Sequence, residues 1–188
     1  MSNEYKDWER DKIIEETQIV LKYPFLRLRN LDGTIDSSSK FPMMNLEIPD
    51  GWYELFFQMC EDIKPILEEA GLLNDFYFIQ VKEKYNYLRC YSNGKAPHKV
   101  EEIIAKYEQL AHYVCIICGC PASYETKGYL ASLCEACWKY DLNLCPADKL
   151  EFKSYFTINT FTEGAHCDEK KISFAEEWDR YLNNLCSE

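Results

Sequence analysis

The stretch Tyr113-Val-Cys-Ile-Ile-Cys-Gly-Cys120, answered at Leu133 by Cys-Glu-Ala-Cys-Trp138, decides how this chain is read. Its two Cys-x-x-Cys pairs, Cys115 with Cys118 and Cys134 with Cys137, have fifteen residues between them. At that spacing four thiolates converge on one tetrahedral metal. Cys115-Ile-Ile-Cys-Gly119 has the form of a zinc knuckle: a tight turn holds two sulfurs together, and the glycine takes the backbone conformation that aims amide N–H groups at them. Residues 122–126 and 129–133 flank Lys127-Gly128, a hairpin signal, and Cys134 opens a segment with the look of a helix that begins on its own ligands. The helix N-terminus adds partial positive charge beside the thiolates and lowers their pKa. Knuckle, hairpin and helix in this order predict a treble-clef-like module.

With Cys115, Cys118, Cys134 and Cys137 filling all four positions no water site remains, so the zinc expected here, one per chain, is structural. Such an ion contributes roughly 10–16 kcal/mol of apparent binding energy, more than so small a unit gains by burial. The plainer alternative is four reduced, buried thiols. Cys120 competes with Cys118 as a ligand, but that register leaves Gly119 in the wrong place. Cys145 with His166-Cys167 has no spacing that supports a second site, and Cys60, Cys90 and Cys186 read as core thiols.

The surrounding chain sets the bounds. At 188 residues and 47% hydrophobic content it is long enough for one good core with a small appended module. Tyr 14, Phe 10 and Trp 4 predict a ring-packed core. Acidic residues number 32 against 21 basic, a net charge of -11 that repels nucleic acid and favours basic partners or plain solubility. The start, Met1-Ser-Asn-Glu-Tyr-Lys, is polar, and no apolar run reaches membrane-spanning length, so a cytoplasmic protein is expected. Ten cysteines in a reducing compartment suit metal binding and buried thiols rather than disulfides.

Residues 4–21 have a loose helical rhythm. Pro24 stops it, and residues 23–30 alternate apolar and basic like a short strand or extended arm. Asp32-Gly33 and Ser37-Ser-Ser-Lys40 read as loop. From Pro49-Asp50, the residues Trp52, Leu55, Phe56, Met59, Cys60, Ile63, Leu67 and Ala70 fall at helical spacing, with Asp50 as N-cap, Gly71 as stop and Pro65 expected to kink or divide the helix. Residues 75–82 and 85–91 read as an antiparallel hairpin with a charged turn between them. Residues 99–114 return to helix and lead into the first cysteine pair. Beyond the module, 152–161 reads as a strand, and Ser173-Phe-Ala-Glu176 is a capping box opening a final helix. The expected fold class is α+β, a small antiparallel hairpin or sheet packed with helices plus the treble-clef-like module. The expected organisation is a helix and arm over 1–48, a helix–hairpin–helix core over 49–114, the zinc module over 115–145, and a strand and helix over 146–188 packing back on the core.

A treble clef also underlies HNH-type nucleases, which need a histidine in the hairpin as general base and another on the helix for a catalytic metal. Residues 120–149 contain no histidine. His98, His112 and His166 lie elsewhere and read as surface or structural groups, so no catalytic residue and no enzyme is expected. For nucleic-acid binding, the module offers Lys127, Lys139 and Lys149 interspersed with Glu125, Glu135, Asp141 and Asp148, which makes no basic stripe. Arg27, Arg29, Lys82, Lys84 and Arg89 are patch candidates elsewhere, the plainer reading being solvated strand faces. Tyr77, Tyr85, Tyr87 and Tyr91 are of the residue type that anchors protein interfaces; the sequence leaves them open between interface and core.

Taken together, Tyr23-Pro-Phe-Leu-Arg27, Pro49-Asp-Gly-Trp52, Gln58-Met-Cys-Glu61, Gln80-Val-Lys-Glu-Lys-Tyr85 with Leu88-Arg89 and Tyr91, and the Cys115-x-x-Cys-Gly and Leu133-Cys-x-x-Cys module resemble a family of small uncharacterised proteins carried by phages and prophages of bacteria. The resemblance covers about residues 23–140. Here Asn86-Tyr87 stands where the family has a glycine after the Lys-Glu-Lys-Tyr run. The resemblance implies a genomic setting and no catalytic residues: a protein that acts by binding a host or phage macromolecule, such as an anti-CRISPR-like inhibitor seated in the basic nucleic-acid channel of a host defence nuclease. The rival expectation is a zinc-dependent nucleic-acid-binding regulator.

Overall fold

A computed structural model describes residues 3–140 and 147–149. The strand expected over 152–161, the final helix, and Cys145, His166, Cys167 and Cys186 lie outside the described residues. Those described form helices and two small three-stranded sheets, an α+β chain. The elements are α1 (Asn3–Lys22), β1 (Leu46–Glu47), α2 (Tyr53–Glu69), β2 (Phe78–Lys84), β3 (Tyr87–Ser92), α3 (His98–Ala111), β4 (Tyr124–Thr126), β5 (Ser132–Leu133), α4 (Glu135–Tyr140) and β6 (Ala147–Lys149). No helix among the described residues is long and apolar enough to cross a membrane.

The chain packs as two units, to both of which α2 and the β2–β3 hairpin contribute. The first holds the described residues up to Glu47, Gln58–Lys82 and Arg89–Ala105. Its core is ring-packed: Phe25 meets Phe76 and Phe78 edge-on at 5.9 and 6.0 Å, and Phe76 meets Phe78 at 5.2 Å. Val20, Met59, Cys60, Ile63, Leu67 and Val100 are also buried here. The 23–30 segment is a 3-10 turn, Pro24–Leu26, followed by isolated bridges from Arg27 to Met43 and Arg29 to Ile35. The carboxylate of Glu61 accepts from Lys22 and, at 2.7 Å, from the Tyr23 hydroxyl.

Two expectations for α2 need correction. Pro65 does not divide it; the helix runs unbroken from Tyr53 to Glu69. Pro65 and Glu61, whose carbonyl the ring deprives of its bond, are both exposed, while Ile63 and Leu67 on the opposite side are fully buried and hold the two turns on one core. Nor is Asp50 the N-cap: a 3-10 turn, Asp50–Trp52, precedes the helix with Pro49 in the cap position and no side-chain cap bond. Gly71 does stop the helix. It sits at φ +68, its N–H reaches Glu68 O at 3.0 Å and that of Leu72 reaches Leu67 O at 2.8 Å, a Schellman closure.

The first sheet, ordered β1-β2-β3, is mixed rather than antiparallel, because β1 pairs parallel to β2 through Leu46 with Val81 and Glu47 with Lys82. The hairpin turn is also displaced from its expected place. β2 continues through Lys84, and Tyr85 and Asn86 form the two-residue loop with φ of 54° and 63°. Left-handed angles at both positions define a type I′ turn, so the connection is tight without a glycine.

The second unit holds Ile48–Phe57, Glu83–Leu88 and the described residues from Lys106 onward. Trp52, Leu55, Phe56, Leu88, Tyr107, Leu110, Ala111, Val114 and Leu133 are buried in it. In its sheet, ordered β5-β4-β6, both neighbours run antiparallel to β4.

Candidate metal centre

The first cysteine pair is set by backbone bonds. After α3, Val114 bridges Pro121, the Cys115 N–H donates to Cys120 O at 2.7 Å, and the Gly119 N–H returns to Cys115 O at 3.0 Å with Gly119 at φ +76. That closed turn places Cys115 and Cys118 side by side. The second pair arrives through the β4–β5 hairpin, whose register sets Tyr124 opposite Leu133 and Glu125 opposite Ser132. Gly128 takes φ +89 at the tip and the Thr126 N–H reaches Ala131 O at 3.0 Å. Cys134 then occupies the cap of α4, where its sulfur accepts the Cys137 N–H at 3.4 Å. Trp138 stacks on Tyr124 at 4.4 Å and 15°, joining helix to hairpin.

The sulfurs of Cys115, Cys118, Cys134 and Cys137 all lie within 4.8 Å of one another, with Cys118 and Cys134 3.6 Å apart. A tetrahedral thiolate site with bonds of about 2.3 Å has sulfur edges of about 3.8 Å, so the quartet is compatible with a metal site. Cys115 and Cys134 are buried, Cys137 is half-buried and Cys118 is exposed. Electrostatics point the same way. Hydrogen bonds from Cys118 and Cys134 pull the Cys115 thiol far below the usual range. The bond to Cys115 pushes Cys118 and Cys134 up; burial, followed by the Cys115 charge, pushes Cys137 up. One thiolate is all that such a cluster sustains unaided, and a central cation is what lets four ionise together. The Cys137 amide that donates to the Cys134 sulfur gives the outer support that metal-bound thiolates take.

Among the described residues this quartet is the one group of three or more potential ligands that converges. Cys120 stands outside it and joins the knuckle through its carbonyl. Cys60 is fully buried, and burial raises its thiol pKa well above the usual value. His98 is exposed and 3.3 Å from Glu102 on its own helix. Of the basic candidates, Arg29 is engaged by Gly33 O at 2.8 Å, Asn74 O at 3.1 Å and the Tyr77 ring at 4.5 Å.

Two supports of the centre escaped the sequence reading. Gly51 lies against the knuckle backbone: its N–H donates to Ile116 O at 3.0 Å, and a Cβ there would stand 2.1 Å from Cys115 O. The neighbouring Trp52 donates its indole N–H to Val114 O at 3.1 Å. The signal available was a glycine inside an otherwise helical pattern, a mark of close backbone approach. The second support is Asn86, fully buried, whose side chain bonds Ser132 and Glu125. Its signal was an asparagine between two aromatic strands, a residue tolerant of the left-handed conformation.

Fold and site define a class: a small α+β chain carrying a four-cysteine centre of metal-binding geometry. No protein-family model, curated protein or solved structure is significantly similar to it.

Proposed function

We propose that the cysteine module is a treble clef holding one structural zinc, and that the chain is a non-enzymatic, acidic protein-binding protein of phage or mobile-element origin. Its target in this reading is a basic, nucleic-acid-handling host protein in the cytoplasm, and its effect is anti-CRISPR-like inhibition of a defence nuclease. Support for zinc comes from the convergence of four thiols with no position left for water. The observation that carries the binding role is the exposure of the hairpin tyrosines, Tyr85 at 72%, Tyr87 at 37% and Tyr91 at 44%. Aromatic rings of this size are kept out of a core where they serve as anchors in a partner's pocket. A charge of -11 favours encounter with a basic partner. The phage setting, and with it a host nuclease as partner, rests on the sequence resemblance described above.

The test has two parts. Mass spectrometry of protein purified without a metal-binding tag is expected to give one zinc per chain, lost in Cys137→Ser. Co-purification from a phage-bearing host is expected to yield a basic nucleic-acid-handling protein whose cleavage of DNA the purified chain then suppresses, less so as Tyr85→Ala. Absence of any such partner refutes the inhibitor reading, and absence of zinc refutes the treble clef. The nucleic-acid-binding alternative draws on the placing of Lys82 over the Tyr91 ring at 5.4 Å and Lys84 over the Tyr85 ring at 5.7 Å. Salt-sensitive retention of DNA or RNA at low ionic strength decides for it.

A further inference from the structure

We infer that the metal centre controls the conformation of the β2–β3 turn at Tyr85–Asn86, acting through the buried side chain of Asn86; the inference rests on the metal reading above. Asn86 is fully buried, yet it belongs to a two-residue turn whose other member, Tyr85, is 72% exposed. Nothing in the turn itself satisfies its amide. Nδ2 donates to Ser132 Oγ at 2.7 Å and to Glu125 Oε1 at 3.1 Å, while Oδ1 accepts the Ser132 N–H at 2.9 Å. Three of the side-chain bonds of Asn86 therefore end on the β4–β5 hairpin, between the two cysteine pairs, and the remaining contact runs from Nδ2 to His112 Nδ1 at 3.3 Å.

Ser132 is where the coupling concentrates. It is fully buried and stands two residues before Cys134, its carbonyl accepts the Ile116 N–H from inside the knuckle at 3.0 Å, and its hydroxyl donates to His112 O at 2.5 Å. One residue thus touches both ligand pairs and the turn. His112 closes the arrangement from the other side: Nδ1 lies 3.4 Å from Asn86 O, and the ring stacks on Tyr87 at 4.9 Å and 7°. Tyr85 holds φ of 54°, a backbone state that a bulky residue keeps only when its surroundings over-determine it. The β4–β5 hairpin is too short to persist alone, so loss of the metal removes the Ser132 and Glu125 partners of Asn86 together and leaves only the contact to His112. A buried amide stripped of most of its partners is driven to water, and the turn goes with it. Linkage makes the effect reciprocal: weakening the Asn86 lock weakens the metal site.

Hydrogen–deuterium exchange of the full chain tests this, in zinc-loaded form, after stripping with a chelator, and as Asn86→Gly, which favours the turn backbone while deleting the lock. Stripping is expected to raise exchange across 83–88 at least tenfold along with 115–137, while 59–67 of α2 keeps its protection and added zinc reverses the change. In zinc-loaded Asn86→Gly, 83–88 is expected to exchange as fast as in the stripped parent, with zinc held about tenfold more weakly against a chromophoric competitor. If that variant does not fold, Ser132→Ala is read for the same two changes. Opening of 115–137 with 83–88 unchanged overturns the inference and leaves the metal reading standing. So does simultaneous opening of 59–67, which makes the metal a support of the whole fold rather than of the turn. A chain that takes up no zinc overturns both.

Discussion

Gly51→Ala is the substitution whose outcome the geometry constrains most tightly. The added Cβ would meet Cys115 O at 2.1 Å, Gly119 N at 2.7 Å and Ile116 C at 2.8 Å. All three are backbone atoms of the knuckle turn, so no flexible side-chain end can swing aside. Either the turn carrying Cys115 and Cys118 shifts, or the Asp50–Trp52 turn withdraws and loses the Gly51 bond to Ile116 and the Trp52 bond to Val114. Overpacking of this kind costs about 1–3 kcal/mol, and a buried polar group left without its partner costs about 1–3 kcal/mol more. Denaturant unfolding of the zinc-loaded protein is therefore expected to show a loss of about 2–6 kcal/mol, with zinc held at least tenfold more weakly. Gly128→Ala is the control. That residue has φ +89 but no heavy atom within 4 Å of the added carbon, so only backbone strain of about 1–2 kcal/mol applies. If the two variants lose the same stability, close approach of the 50–52 turn to the knuckle is not what holds it, and the reasoning fails.

Tyr85→Asn should stabilise the fold by about 0.5–1 kcal/mol, since asparagine accepts the left-handed turn that tyrosine holds under strain, and should weaken capture of any partner anchored there; thermal unfolding alongside a binding assay reads both. Cys60 should resist iodoacetamide at pH 8 until the protein unfolds, because burial raises its pKa, and peptide mapping showing early labelling would contradict its place in the core. Glu61 is held below the usual carboxylate range by its bond from Lys22 and then by that from Tyr23, so its contribution is present above its unfolded pKa near about 4.3 and is lost as pH falls through the lower folded value. Glu61→Gln should flatten the acid limb of the stability curve. Tyr23, raised to about 12 chiefly by burial, has the opposite sense: its contribution holds below its unfolded pKa of about 10 and disappears as pH rises through the folded value, which ultraviolet titration of tyrosinate follows.

The parts of this fold that were legible in the sequence are those whose cause lies within one turn or one ligand set. Leu55, Met59, Ile63 and Leu67 are buried at the spacing that announced α2, as are Val100, Ile104, Tyr107 and Ala111 for α3. The four cysteines converge as their spacing predicted, their ligand atoms all within 4.8 Å of one another. What could not be read depends on residues far apart in sequence. The parallel β1–β2 pair is two residues long, too short for alternation to show, and β6 pairs with β4 across a similarly short register. The turn fell two residues late because Lys82, Glu83 and Lys84 look like a polar loop when their neighbours are unknown. Gly51 and Asn86 are local oddities whose reason appears only beside Cys115 and Ser132.

The dispersal of the second unit along the chain bears on how the protein can be made and taken apart. The floor of the cysteine module is laid by Gly51 and Trp52 and its lock by Asn86, all synthesised well before Cys137 leaves the ribosome. Those early segments have to wait for the module, and a peptide beginning near residue 113 would present Val114 O and the Ser132 N–H bare to solvent. The module behaves as a keystone, set last and needed by the segments laid before it, not as a bead that can be strung elsewhere.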